Sequence, residues 1–328
     1  MYGLDKLKIV MPLCHVTVVD DSVFKCNSMS GCIINMTYKQ KVPEYLSVKI
    51  DYENGEAVIE FTGKILGKRY AELIRLTNIM QCVENINSLG IILIDKDKIL
   101  HAAVLKCDLT IDVDVSDISA LTRYINNSLS NYDTYLPQPK RNGNFILDKN
   151  VDTAKCKKRL TIYDKEKEMN MARNKKFLVK YFDGINPFIG KCRFELNLYT
   201  MDAIRKALNI QNPTIWHVLT SARTQNPIRD FLKEALDETH SERAIPNLKA
   251  YWYDLTLKDN DDDMQKVYHT IKAFLAKGTK VNRTIAPIRE RLQTRDYAMN
   301  LFTKDKVLNL VTSETRLSSF DVIGYSSP

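Results

Sequence analysis

The stretch RLTIYDKEKEM, Arg159–Met169, sets the reading of this chain. Its opening half is a short apolar strand that carries Tyr163, with Lys165 two residues on and Glu168 five residues on. Further along, RFELNLYTMDAIRKALNI, Arg193–Ile210, puts Glu195 in the middle of another strand that leads into a helix. Upstream, CDLTIDVDV, Cys107–Val115, reads as a strand bearing Asp108, Asp112 and Asp114. A tyrosine, a lysine and several strand-borne carboxylates suit metal-assisted chemistry on a phosphodiester.

Side chains alternate along a strand, so Asp108, Thr110, Asp112 and Asp114 share one face and Leu109, Ile111, Val113 and Val115 the other. A wet sheet face would look the same. Three carboxylates on one face repel one another unless spread, solvated or neutralised, and a hard divalent cation with oxygen ligands is the usual neutraliser. Glu195 alternates the same way against Phe194 and Leu196. If the two strands are neighbours, Asp108, Asp112 and Glu195 share a Mg²⁺ or Mn²⁺ ion. Tyr163 is one of 16 tyrosines, and a strand tyrosine is by default a packing residue. A phenol of pKa ~10 is a weak nucleophile until a cation or a base acts on it. Lys165, expected on the same strand face, supplies that cation, holds a phosphate oxygen, or is merely a surface lysine. Glu168 caps or opens the following helix.

The rest of the chain narrows the class. At 328 residues it has room for one large domain or two ordinary ones. It lacks an apolar run of the ~20 residues that span a bilayer, and its N-terminus reads as a first strand rather than a secretory signal. These features predict a cytoplasmic protein with no membrane partner. Seven scattered cysteines without a CxxC pair predict reduced, mostly buried thiols. The five histidines are isolated, and neither GxxxxGK[ST] nor GxGxxG occurs, which argues against a histidine-ligated metal, an ATPase and a dinucleotide enzyme. The net charge is +8, and between Lys149 and Lys180 there are 11 Lys/Arg against 4 Asp/Glu. Such a run is usually a solvated face; around Tyr163 it also suits a phosphate backbone. Lys157, Lys158, Arg159, Lys167, Arg173, Lys175, Lys176 and Arg193 are the expected DNA contacts.

The fold class predicted is α+β, an antiparallel sheet flanked by helices with a mainly helical C-terminal region. VTVVDD, CIINMTYK, LSVKIDY and AVIEFTG are strands, the last two joined at Asn54-Gly55. Helical patterning covers 69–88, then a strand 99–115 and a helix capped by Ser116 or Asp117. Residues 132–144, with two prolines and an Asn-Gly, read as a linker. The division is thus 1–131 for the β-rich half with the aspartate strand, 132–200 for the tyrosine and glutamate half, and 201–328 for helices, a place for duplex DNA or helicase docking. The final residues, 318–328, read as a frayed tail.

In order, KCDLTID, LTIYDKEKEM and CRFELNLYTMDAIRKAL resemble motifs of the filamentous-phage gene II replication initiators and the related initiators of small rolling-circle plasmids. AVIEFTGKIL, with Glu60, resembles the upstream strand of that family. The likeness spans roughly residues 57–210. It implies a divergent relative of the histidine-pair nickases, which nicks and rejoins one DNA strand at an origin. It implies Tyr163 as nucleophile with Lys165 as the second catalytic residue, Asp108, Asp112 and Glu195 as ligands of Mg²⁺ or Mn²⁺, and supporting positions at Glu168 and Glu60. Asn197 stands where some plasmid relatives carry a second glutamate. The implied partners are single-stranded and duplex origin DNA, a host helicase and a polymerase, with a homodimer allowed. Two rivals stay open: a metal nuclease that uses water, and a non-catalytic origin-binding protein.

Overall fold

The computed structural model of the chain describes residues 2–29, 32–40, 45–129, 135–140, 144–149, 157–236, 248–275 and 280–312. In chain order the elements are β1 (Gly3–Pro12), β2 (Val16–Val18), β3 (Lys25–Met29), β4 (Cys32–Gln40), β5 (Leu46–Asp51), β6 (Glu56–Thr62), α1 (Ile79–Asn87), β7 (Ile92–Ile94), β8 (Ala103–Asp114), α2 (Ile118–Asn127), β9 (Tyr135–Pro139), β10 (Phe145–Lys149) and β11 (Lys158–Asp164). They continue as α3 (Lys165–Met169), α4 (Lys175–Phe182), β12 (Lys191–Leu198), α5 (Met201–Leu208), α6 (Ile215–Ser221), α7 (Pro227–Ala235), α8 (Leu248–Lys258), α9 (Met264–Phe274), α10 (Val281–Leu301) and α11 (Lys304–Leu310). The class is α+β, with one large antiparallel sheet and a helical C-terminal region.

The sheet has ten strands in the order β3-β4-β5-β6-β1-β8-β12-β11-β10-β9, and β2 pairs separately with β7. Its apolar face carries Leu7, Ile59, Leu109, Ile111, Leu160, Ile162, Phe194 and Leu196, all buried in one core with residues of α2, α5, α6 and α7. Helices α5 to α7 contribute Ile204, Leu208, Val218, Phe231 and Leu232 to that core, and Val307 and Leu308 of α11 join it. Helices after residue 200 thus pack into the same core as the sheet, and the halves expected at 1–131 and 132–200 both contribute strands to that one sheet. A small second cluster, Leu257, Val267, Ile285 and Ile288, holds α8, α9 and α10 together.

Local chemistry explains most boundaries. Asp117 caps α2 by accepting from the Ala120 amide at 2.8 Å. Asn226 caps α7 in front of Pro227. The β5–β6 hairpin turns through four residues, with Gly55 at φ +65°.

Four expectations are corrected. Residues 69–88 are not one helix: a 3-10 segment covers Gly63–Glu72, interrupted by Gly67 at φ 59° and ψ −118°, and the α-helix starts only at Ile79. The strand expected from 99 starts at Ala103, behind a 3-10 turn. The expected linker contains β9, an edge strand, where Pro137 and Pro139 do not deprive an inner ladder of donors. Thiols divide evenly among the described residues, with Cys82, Cys107 and Cys192 buried and Cys14, Cys26 and Cys32 exposed. The tail expected at 318–328 lies outside the described residues.

Candidate active site

Four neighbouring strands, β11, β12, β8 and β1, assemble the site on the face opposite the helical core. Their register opposes Tyr163 to Arg193 and Arg193 to Asp112. The next row is Thr161, Glu195 and Thr110, and the one after it Arg159, Asn197, Asp108 and Lys6. With a period of two, all of these side chains leave the same face.

Within this array the Tyr163 hydroxyl donates to Glu195 Oε2 at 3.0 Å. Glu195 Oε1 accepts from Asn197 Nδ2 at 2.8 Å, and Thr161 lies 3.4 Å from the Asn197 carbonyl. Asp108, across from Asn197, has a buried Oδ1 with no hydrogen-bond partner. Burial, then the charge of Glu195, pushes the Asp108 carboxyl up to about 7. Burial, then the charge of Asp5, raises Glu195. Tyr163 is only 8% exposed, and burial together with the facing carboxylate holds its phenol protonated well past the ordinary range. Two carboxylates this close in a poorly hydrated place call for a proton or a cation.

Asp108, whose Oδ1 has no partner, and Glu195, whose oxygens accept only from the neutral Tyr163 and Asn197, are the hard oxygen donors that would suit the expected Mg²⁺ or Mn²⁺ ion. Asp112 does not fit. Both its oxygens are taken by Arg193, at 2.6 and 2.7 Å. Among the described residues no group of three or more His, Cys, Asp or Glu side chains is arranged to hold a metal.

Arg193 is wholly buried, so it reaches no DNA. Its guanidinium also bonds Asp5 Oδ1 at 2.5 Å and the Tyr70 hydroxyl at 3.3 Å. Lys165 is not on the strand with Tyr163 but opens α3, because Asp164 caps that helix by accepting from the Lys167 amide at 2.9 Å. Its buried ammonium bonds the Tyr70 hydroxyl and Glu168, each at 2.8 Å, and lies 5.7 Å from the centre of the Tyr163 ring. Burial and Arg193 pull Lys165 down, but Tyr70, Asp5 and Glu168 outweigh them and its pKa is raised. Glu168 also holds Arg173 and Asn174, and is inside α3 rather than at its cap. Asp5, Tyr70, Arg193, Asp112, Lys165 and Glu168 thus form one ionic lattice under the tyrosine, roofed by Phe177 and Phe188 packed edge-on to Tyr70.

The other expected residues scatter. Glu60 pairs with Lys6 at 2.5 Å and Lys8 at 3.7 Å, farther along the polar face. Lys157, Lys167, Arg173, Lys175 and Lys176 are exposed, as a DNA surface requires. Arg159 is engaged by Asp148, and Lys158 turns to the helical side, 4.9 Å from the Phe231 ring centre. Asp5 and Tyr70 went unnoticed in the sequence. Asp5 reaches the lattice because the β1–β8 register slips between Leu4 and Lys6, and nothing in DKLKIV announces that slip. No protein-family model matches this chain, and no curated protein matches its sequence.

Proposed function

We propose that this chain is a rolling-circle replication initiator, a divergent relative of the histidine-pair nickases, which cuts one DNA strand at an origin and can rejoin it. The observation that carries the reading is the 3.0 Å hydrogen bond from the Tyr163 hydroxyl to Glu195, beside the unpartnered buried oxygen of Asp108. The motif order around these residues supports it independently.

In the proposed reaction the Tyr163 oxygen attacks the scissile phosphorus in line. A P–O bond to tyrosine forms and the P–O3′ bond breaks. The phenol proton passes to Glu195, and the 3′ oxygen leaves as a hydroxyl after taking up a proton. The products are a 5′-phosphotyrosine and a 3′-OH that primes a polymerase. Because the phosphodiester energy is kept in the ester, attack by a 3′-OH reseals the strand without ATP. Asp108 and Glu195 would hold a divalent ion, and the chemistry it would supply there is Lewis-acid stabilisation of developing negative charge. Asn197 orients Glu195, and the Arg193 lattice fixes the strand that carries it, so the donors are preorganised. The exposed Lys157, Lys167, Arg173, Lys175 and Lys176 suit the DNA backbone. A host helicase and polymerase complete the proposed set of partners, with a homodimer allowed.

One observation favours a second reading. With 8% exposure, Tyr163 has the burial of a packing residue, and the same face would then bind origin DNA without cutting it. The test is a denaturing gel with a single-stranded oligonucleotide from the replicon's own origin, Mn²⁺, and Tyr163→Phe as control. The expected result is a denaturation-resistant adduct on the 3′ fragment that disappears in Tyr163→Phe. Cleavage that survives Tyr163→Phe without an adduct makes the protein a water-using nuclease. Binding with no cleavage of oligonucleotide or supercoiled DNA makes it an origin-binding protein.

A further inference from the structure

Beyond the row that holds Asp108, the polar face carries a row for which the proposed chemistry has no use. Lys106 is opposite Lys8, and Lys8 opposite Glu60, across β8, β1 and β6. The Tyr199 amide bonds the Lys157 carbonyl at 3.1 Å, which continues the β12–β11 pairing by one residue. The Lys106 ammonium lies 4.7 Å from the centre of the Tyr199 ring, so both leave the same face. Lys157, Tyr199, Lys106 and Lys8 therefore stand side by side across four strands, about 15 Å from end to end at the usual interstrand spacing. Along β12 the row is six residues from Arg193, the partner of Tyr163, or about 20 Å.

What marks this row is an aromatic ring set among lysines whose charge is little neutralised. Among the described residues Lys106 and Lys157, like the other lysines without an ion pair, have no carboxylate within 4 Å, and Lys106 lies on the ring. Lys8 shares Glu60 at 3.7 Å with Lys6, which holds it at 2.5 Å. A partly exposed aromatic ring with one ammonium on it and two further lysines in its row matches an unpaired nucleotide, whose base stacks while its phosphates meet the ammonium groups. A duplex keeps its bases stacked on one another and offers no base to a ring on a sheet.

We propose that Lys157, Tyr199, Lys106 and Lys8 form a ledge that holds the single DNA strand a few nucleotides from the scissile phosphate. The assignment rests on the reading of Tyr163 as the cleavage centre only for the distance to that phosphate. The ledge orients the strand along β12, so that it reaches Tyr163 extended and unpaired.

Fluorescence anisotropy in EDTA, where no cleavage occurs, tests it with a labelled 12-nucleotide mixed-sequence single strand and the matching duplex. Tyr199→Leu is expected to weaken single-strand binding by about 5- to 100-fold, the span of one lost base stack. Tyr199→Phe, which keeps the ring, is expected to bind as the unaltered protein does. Lys106→Gln is expected to flatten the salt dependence by about 0.7 in log–log slope, one phosphate contact on a single strand. Duplex binding is expected to change less than twofold in each. Unchanged single-strand binding in both Tyr199→Leu and Lys106→Gln overturns the ledge, as does an equal loss for duplex and single strand. A variant counts only if its thermal unfolding midpoint matches that of the unaltered protein, and Lys106→Ser and Tyr199→Ile stand in for one that does not. The cleavage reading fails separately: no Mn²⁺-dependent adduct forms, while single-strand binding stays sensitive to Tyr199.

Discussion

Among the described residues Arg193 is the largest side chain to be fully buried, and the reason it is tolerated explains the site. A buried guanidinium needs both charge and hydrogen-bond partners, and Asp112 gives it a bidentate pair while Asp5 and Tyr70 take other donors. The carboxylate that strand alternation offers as a metal ligand is thereby spent on structure. Glu168 plays the matching part for Lys165. Burial raises its carboxyl, but the charge and hydrogen bond of Lys165 outweigh this and hold it at about 2 against an ordinary 4.5. The folded protein then binds fewer protons than the unfolded chain between those values. The stabilisation is whole above pH ~4.5 and is lost as pH falls towards 2, on the order of 3 kcal/mol. Between pH 6 and pH 3, denaturant titrations are expected to show a loss about 2 kcal/mol larger in the unaltered protein than in Glu168→Gln, in which the other lowered carboxyls still titrate. An equal loss in both would remove Glu168 from the account.

Between residue and fold, the 3-10 segment Gly63–Glu72 does what the expected helix would not. It brings Tyr70 over the sheet so that its hydroxyl meets Lys165, Arg193 and Asp5. The segment bends at Gly67, whose φ of 59° and ψ of −118° suit glycine alone, and a Cβ there would be 2.7 Å from the Tyr181 ring. Gly67→Ala is expected to cost about 1–3 kcal/mol in chemical denaturation through strain and overpacking. A change below 0.5 kcal/mol would mean the bend is not strained. Apolar spacing over 69–88 imitates one helix because Tyr70 at the end of the 3-10 segment and Leu73 and Ile74 just after it are buried like Ile79, Val83 and Ile86 of the α-helix, though no single helix joins them. The tyrosine strand behaves differently. Its end was legible as a turn towards a helix, but that Asp164 caps this helix, which takes Lys165 off the strand, depends on one side-chain hydrogen bond.

At the scale of the whole molecule, the C-terminal helices close the core that the sheet begins. Phe302, Val307, Leu308 and Val311 are buried in it, Phe302 beside Tyr124 of α2, and Asn226 holds the Val311 carbonyl at 2.8 Å. At about 1.5–3 kcal/mol for each buried apolar side chain, their loss rivals the total stability of a domain. A chain ending after Leu236 is thus expected to lose cooperative thermal unfolding, and a sharp transition in that truncation would show the helices to be an independent unit. The sequence by itself determined the alternating strands, the two faces of the sheet, and the common face of Asp108, Thr110 and Asp112, because the two-residue period is a local property of extended backbone. Only the tertiary structure decided which acid meets which base. Arg193 finds Asp112 81 residues away and Asp5 188 residues away, through a strand order and a β1 register slip that no local pattern encodes. Asp108 was left with an unpartnered oxygen by the same pairings, since only a register moved by four residues would have set it, in place of Asp112, opposite Arg193.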